Sequence, residues 1–280
     1  MKIKVISDST CDLSAQLLSD NNITLAPLNV IKDDVAFKDG ITITPEDIFN
    51  HVAAGGALCS TAANSIGEYA DLFEQFSGDY DGILHITIGS GFSACYQNAC
   101  LAAEDYPNVR VIDSQNLTSG QGLIVLKACE LAKNATDLDE LAEAVRAFTE
   151  KVESSFLIEK LDYLVKGGRC SAAAALGANL LNLKPCIEVK AGKMVVGKKY
   201  RGNFSKCIAS YIKELLEGRE DIDRDTVFVT KTLLSTECYD AAMSAVHTYG
   251  MFNHVYETTA GCTISCHCGP GTIGVLLVRK

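Results

Sequence analysis

The chain has 280 residues, 48% of them hydrophobic, with 25 Lys and Arg set against 35 Asp and Glu for a formal net charge of −10 at pH 7. A chain of this length buries a sizeable core and divides into two α/β domains more often than into one or three. Its acidity excludes broad nucleic-acid binding, which needs clustered cations against phosphates, and disfavours adsorption to anionic membranes.

The apolar run Ile3 to Ile6 predicts a short strand, and Asp8-Ser9-Thr10-Cys11-Asp12 supplies polar caps before an amphipathic stretch from Leu13 to Leu18. A second strand is expected over Leu25 to Ile31. Thr44 followed by Pro45 reads as a helix start leading through Ile48 to Ala53, and Ser65 to Phe76 as a further helix. Strands over Gly82 to Ile88 and Val109 to Asp113 then alternate with a helix after Ser93 and another over Ser119 to Lys133. Such alternation predicts a mostly parallel sheet flanked by helices.

A charged helix is expected from Asp137 to Glu153, where the texture changes, so a domain boundary is placed between residues 153 and 154. Leu161 to Leu183 reads as helical with a break at Gly167-Gly168. Ile187 to Lys190 pairs with Met194 to Val196 as a hairpin, and strands Val227 to Thr230 and Gly274 to Val278 bracket a helix from Cys238 to Thr248. The N-terminus carries no secretory pattern, and no stretch of about 18 apolar residues occurs, so a cytoplasmic protein without stable membrane insertion is expected. The twelve cysteines are scattered through a chain large enough to fold without bridges, and they read as reduced, mostly buried fillers.

Chemistry concentrates at Gly89-Ser90-Gly91-Phe92-Ser93, where a buried strand meets a helix. Glycines admit close backbone approach and the first-turn N–H groups lack partners, which suits an anion; an ordinary loop capped by Ser fits equally. The same residues match G-x-G-x-x-A with Asp113 at the end of the next strand, so a dinucleotide-dependent oxidoreductase using Gly89, Gly91 and Asp113 is the alternative reading. A hydrolase built on Ser93 and His267 lacks the second glycine of a nucleophile elbow. Cys262, Cys266, His267 and Cys268 are close in sequence, but on an extended chain His267 would face away from Cys266 and Cys268, and no metal site is assigned. Gly167-Gly168-Arg169 reads as a helix C-cap with a solvated Arg or as a functional positive charge, and the basic group Lys193, Lys198, Lys199 and Arg201 as a solvated hairpin or a docking surface for an acidic partner.

Several strings together resemble the DegV family of bacterial fatty-acid-binding proteins. They are Asp8-Ser9-Thr10-Cys11-Asp12-Leu13, Ser90 to Ala99, Val111-Ile112-Asp113-Ser114, Leu161 to Arg169, Lys184-Pro185 and His267-Cys268-Gly269-Pro270-Gly271. The resemblance implies two α/β domains, residues 1–153 and 154–280, with a lipid tunnel at their interface. It also implies a non-catalytic carrier that needs no cofactor and presents a bound long-chain fatty acid to a partner fatty acid kinase for acyl-phosphate formation. Carried over by position, the carboxylate would be held by Thr61, Ser93 and His267, with Ser90, Gly91 and Phe92 in the same loop. Arg169 and Arg201 would serve the second-domain cleft or the docking face. Two strings depart from the family pattern: Thr-Ser-Gln-Pro-Ser is Thr61-Ala62-Ala63-Asn64-Ser65 here, and Ser-Gly-Leu-Ser-Gly-Thr-Tyr carries Phe92, Ala94 and Cys95.

Overall fold

The computed structural model describes residues 1–175 and 183–280. The first half runs β1 (Ile3–Asp8), a 3-10 turn (Ser9–Cys11), α1 (Ala15–Asp20), β2 (Thr24–Ala26), β3 (Asn29–Lys32), β4 (Val35–Lys38), α2 (Pro45–Ala53), β5 (Ser60–Ala62), α3 (Ile66–Ser77), β6 (Gly82–Thr87), α4 (Cys95–Ala103), β7 (Val109–Asp113), α5 (Thr118–Ala132) and α6 (Leu138–Thr149). It continues with β8 (Val152–Ile158), α7 (Asp162–Gly167), α8 (Ser171–Ala174), β9 (Leu183–Lys190), β10 (Lys193–Arg201), α9 (Phe204–Leu216), β11 (Ile222–Lys231), α10 (Thr236–Gly250), β12 (His254–Thr259), α11 (Cys262–Cys268) and β13 (Thr272–Arg279).

Strands β2, β1, β6 and β7 form a wholly parallel four-stranded sheet in that order. Every residue of β6 is buried, as expected for a central strand covered on both faces. Helix starts follow local chemistry: Thr44 with Asp47 and Ser65 with Glu68 each form a reciprocal capping box, stabilising its helix by about 1 kcal/mol. A mixed six-stranded sheet, β10-β9-β8-β13-β11-β12, carries the second half, and β4-β3-β5 makes a small antiparallel sheet beside the first. One apolar cluster joins Ile6, Tyr69 and Ile83 of the parallel layer to Phe156, Ile187, Met194 and Ile264, so the two halves share buried surface. The expected division at residue 153 falls on the second residue of β8.

Several sequence expectations are corrected. The single strand over Leu25 to Ile31 is two strands in different sheets, because Pro27 between them has no N–H for a ladder. The charged helix stops at Thr149, and Glu153 belongs to β8. That strand was masked by Ser154 and Ser155, whose buried hydroxyls are satisfied by Asn116 Oδ1 (2.5 Å) and Tyr211 Oη (2.7 Å). In the stretch read as helical from Leu161, α7 ends at Gly168 with φ 69° and α8 is a single turn; residues 176–182 lie outside the described part. Residues 262–268 form a helix rather than an extended segment, which places Cys262 and Cys266 in the cluster with Cys59, Phe49 and Ile48. All the cysteines except Cys100 are buried. Among the described residues no group of three or more His, Cys, Asp or Glu is arranged to hold a metal, and no helix is long and apolar enough to cross a membrane.

Candidate functional site

Helix α11 is held by two buried carboxylates from the first half of the chain. Asp39 accepts from Cys262 N (2.8 Å), Thr263 N (3.2 Å) and Ser9 Oγ (3.0 Å), and Asp12 accepts from Gly261 N (2.9 Å) and Thr118 Oγ1 (2.6 Å). These acceptors satisfy the N–H groups of Gly261, Cys262 and Thr263 at the helix start. Burial, with Asp39 as a lesser cause, pushes Asp12 up to about 8. The clamp fixes the register of α11 and so the position of His267 in its last turn.

His267 Nε2 lies 2.8 Å from Thr61 Oγ1 on β5, whose pairing with Val30 of β3 sets Thr61 in place. Its other nitrogen, Nδ1, is buried without a partner and faces Gly167, where an added Cβ would overlap the ring. A proton on Nδ1 would have no acceptor, so the tautomer that leaves least unpaired carries it on Nε2 and donates to Thr61. The Thr61 hydroxyl proton is then free to point into the cavity. Burial first, and the Arg169 guanidinium second, hold His267 down to about 4, so the imidazole is neutral at pH 7.

The loop after β6 is anchored from beneath. Asp8, fully buried, accepts from Ile88 N (2.9 Å) and Tyr69 Oη (2.8 Å), and His85 Nε2 stands 3.2 Å from the same carboxylate. Ser90 turns away from the cavity: its N–H and Oγ donate to Asp113 at 2.9 and 2.5 Å. Gly91 lies under the Gly192 carbonyl in the β9–β10 turn, leaving no room for a Cβ. Ser93 Oγ accepts from Cys95 N (3.3 Å) and contacts Cys95 Sγ (3.0 Å), while burial pushes the Cys95 thiol up to about 12.

Thr61, Phe92, Ser93, Arg169 and His267 line one narrow cavity. Its remaining walls are chiefly apolar, including Leu28, Ile88, Leu117, Met194 and Ile264, and it contains no acidic side chain. Arg169 is exposed at the rim, donating to Gly167 O (2.9 Å) and Phe92 O (3.5 Å). A second narrow space shares the wall residues Leu117, Ile264 and Cys268 with the first and is lined further by Phe156 and Leu276. A wider cleft elsewhere mixes charges: Glu150, Glu153, Glu188 and Glu214 line it together with Lys190, Lys198 and Arg279, and Lys190 and Lys198 are paired to Glu188 and Glu214 at 2.6 Å.

The structure thus brings together Thr61, Phe92, Ser93 and His267 from the expected head-group set with Arg169, expected at the second-domain cleft or docking face, and leaves Ser90 and Gly91 outside the lining. Arg201 is also outside. The dinucleotide reading has no support, because Asp113 is taken by Ser90 and by Gln115 N (2.9 Å) and Gly91 is covered by the hairpin. Ser93 makes no hydrogen bond to His267, so no nucleophile–base pair exists. Sequence reasoning missed Asp39 and Thr263. Neither stands in one of the strings, and only the fold carries Asp39 to the start of α11.

The DegV family model, described as an uncharacterised protein family, matches residues 2–280. A DegV domain-containing protein of Clostridium acetobutylicum is 31% identical over 284 residues, covering 100% of this chain and 99% of the relative. Among solved structures, a DegV family protein from Thermus thermophilus, described for its fatty acid binding, superposes with a TM-score of 0.90 at 27% identity over 100% of both chains. A stearic acid-binding protein from Eubacterium ventriosum superposes with a TM-score of 0.85 at 27% identity, covering 99% of this chain and 98% of that one.

Proposed function

The chain belongs to the DegV family, and from that premise we propose that it binds one long-chain fatty acid, with the carboxylate at Thr61, Ser93 and His267 and the tail in the apolar cavity beyond them. The observation that carries this reading is the cavity itself: neutral donors and one rim cation converge on a space with no acidic side chain. An ionised carboxylate is costly to bury unless hydrogen-bonded, and Thr61, Ser93 and Arg169 can each donate to it. The tail supplies most of the affinity. About ten buried methylenes, at roughly 0.8 kcal/mol each, give about 8 kcal/mol, the scale of micromolar binding.

The reading extends to a non-catalytic cytoplasmic carrier, divided at residues 153 and 154, that presents the acid to a fatty acid kinase. Arg169 at the rim leaves the head group within reach of a partner. The bulge between Val196 and Lys199 supports a docking face: two residues there oppose one on β9, so Lys199 and Arg201 fall on the same sheet face as Met194, which lines the cavity. Lys198 and Tyr200 fall on the other face, both bonded to Glu214.

Mass spectrometry of gently denatured protein tests the carrier reading, with a co-purifying long-chain acid as the expected result. Bound dinucleotide, or failure of delipidated protein to take up palmitic acid, overturns it. Ser93→Ala is expected to weaken palmitic acid binding by about 1.5–3 kcal/mol; unchanged affinity removes Ser93 from the head-group set.

A further inference from the structure

Nine Ser and Thr side chains line the two neighbouring cavities, and eight of them are hydrogen-bonded within the protein. The exception is Thr263. Its residue is 4% exposed, it lines the upper cavity, and its Oγ1 is buried with no partner, while its backbone N–H is already taken by Asp39. A buried hydroxyl without a partner is a rare condition in a folded protein, and it points to a polar atom that is supplied on binding. The other hydroxyls at this depth show that the fold can satisfy such groups where it has no use for them.

Thr263 and His267 are four residues apart on α11 and so lie on one face, about 6 Å apart along the helix axis. Thr263 is therefore one turn beyond the nitrogen that stands at the proposed head-group position. Around it the cavity wall is apolar, with Leu28, Ile88 and Ile264. We infer that Thr263 forms a polar subsite for an oxygen substituent on the carboxyl-proximal part of the acyl chain, so that the cavity accepts long-chain acids hydroxylated near their head group. This deepens the fatty-acid reading and rests on it. A pocket that hydrogen-bonds a ligand hydroxyl discriminates strongly against losing that bond, whereas an apolar pocket gains little from the same hydroxyl.

The test compares palmitic acid with 3-hydroxypalmitic acid on delipidated protein by calorimetry or probe displacement. Wild type is expected to bind the hydroxy acid at least as tightly as palmitic acid. Thr263→Val, which keeps the shape and removes the hydroxyl, is expected to weaken the hydroxy acid by about tenfold or more while leaving palmitic acid unchanged or tighter. Thr263→Ser should retain the hydroxy acid. A wild type that prefers palmitic acid tenfold overturns the inference without any variant. Equal loss of both acids in Thr263→Val also overturns it, by giving Thr263 a structural or head-group role. If wild type binds neither acid, the carrier reading fails with it; binding of palmitic acid without the predicted discrimination defeats the subsite alone.

Discussion

Gly167→Ala puts a methyl group well inside contact distance of His267 Nδ1. The glycine is needed here for space, since the left-handed turn that ends α7 is made by Gly168, with φ 69°. The ring must retreat by about 1 Å to restore an ordinary contact of roughly 3.5 Å. A displacement on that scale is expected to disrupt the 2.8 Å bond between Nε2 and Thr61. Loss of an ordered donor pair at an ionised head group is worth about 1.5–3 kcal/mol, so fatty acid affinity is expected to fall roughly 10- to 150-fold. Stability responds differently. Alanine favours a helix over glycine by about 0.5–1 kcal/mol, against a similar cost for the lost Thr61–His267 bond, so the denaturation midpoint of delipidated protein should barely move. Calorimetric titration with palmitic acid, paired with urea unfolding, reads both quantities. Unchanged affinity together with a raised midpoint would show that the ring gives way freely and that Gly167 does not position His267.

Three further outcomes are expected. The unfolded chain binds a proton on residue 267 near pH 6.5 while the folded protein does so only near 4, so delipidated protein should lose up to about 3 kcal/mol of stability as pH falls through that window and His267→Asn should lose less; identical urea midpoints for the two at both ends of the window refute this. Asp39→Asn withdraws the charged acceptor from two N–H groups at the start of α11 and from Ser9, and is expected to cost about 3 kcal/mol by urea unfolding and to weaken fatty acid retention, whereas wild-type behaviour would detach the clamp from the site. Lys199→Glu with Arg201→Glu should leave palmitic acid binding intact and slow acyl-phosphate formation by a partner kinase; a loss of lipid binding instead would place the pair in the pocket or the fold.

Much of the architecture was legible in one dimension. The alternation of buried apolar strands with capped helices in the first half is local, because β6 needs a continuous apolar run and α2 and α3 need their Thr44 and Ser65 caps. Thr61, Ser93 and His267 were carried over from the family resemblance, and the fold brings the three to one cavity. What failed was wherever burial and polarity disagree. Ser154 and Ser155 disguised β8 because their partners, Asn116 and Tyr211, are remote in sequence, and the cysteine-rich segment at 262–268 has no helical signature apart from the Asp39 and Asp12 clamp that begins it.

The loop Gly89 to Ser93 divides these two kinds of information most sharply. Its composition determined that it could receive an anion or pack as an ordinary turn, since glycine and serine serve both. Only the fold assigned its members: Ser90 to Asp113, Gly91 to the Gly192 carbonyl, and Phe92 with Ser93 to the cavity. The same holds for Arg169 and Thr263, whose roles depend on which wall they reach. Side-chain type and periodicity are properties of the chain, but convergence on one space depends on contacts between residues far apart in it, 206 positions for Thr61 and His267 and 224 for Asp39 and Thr263.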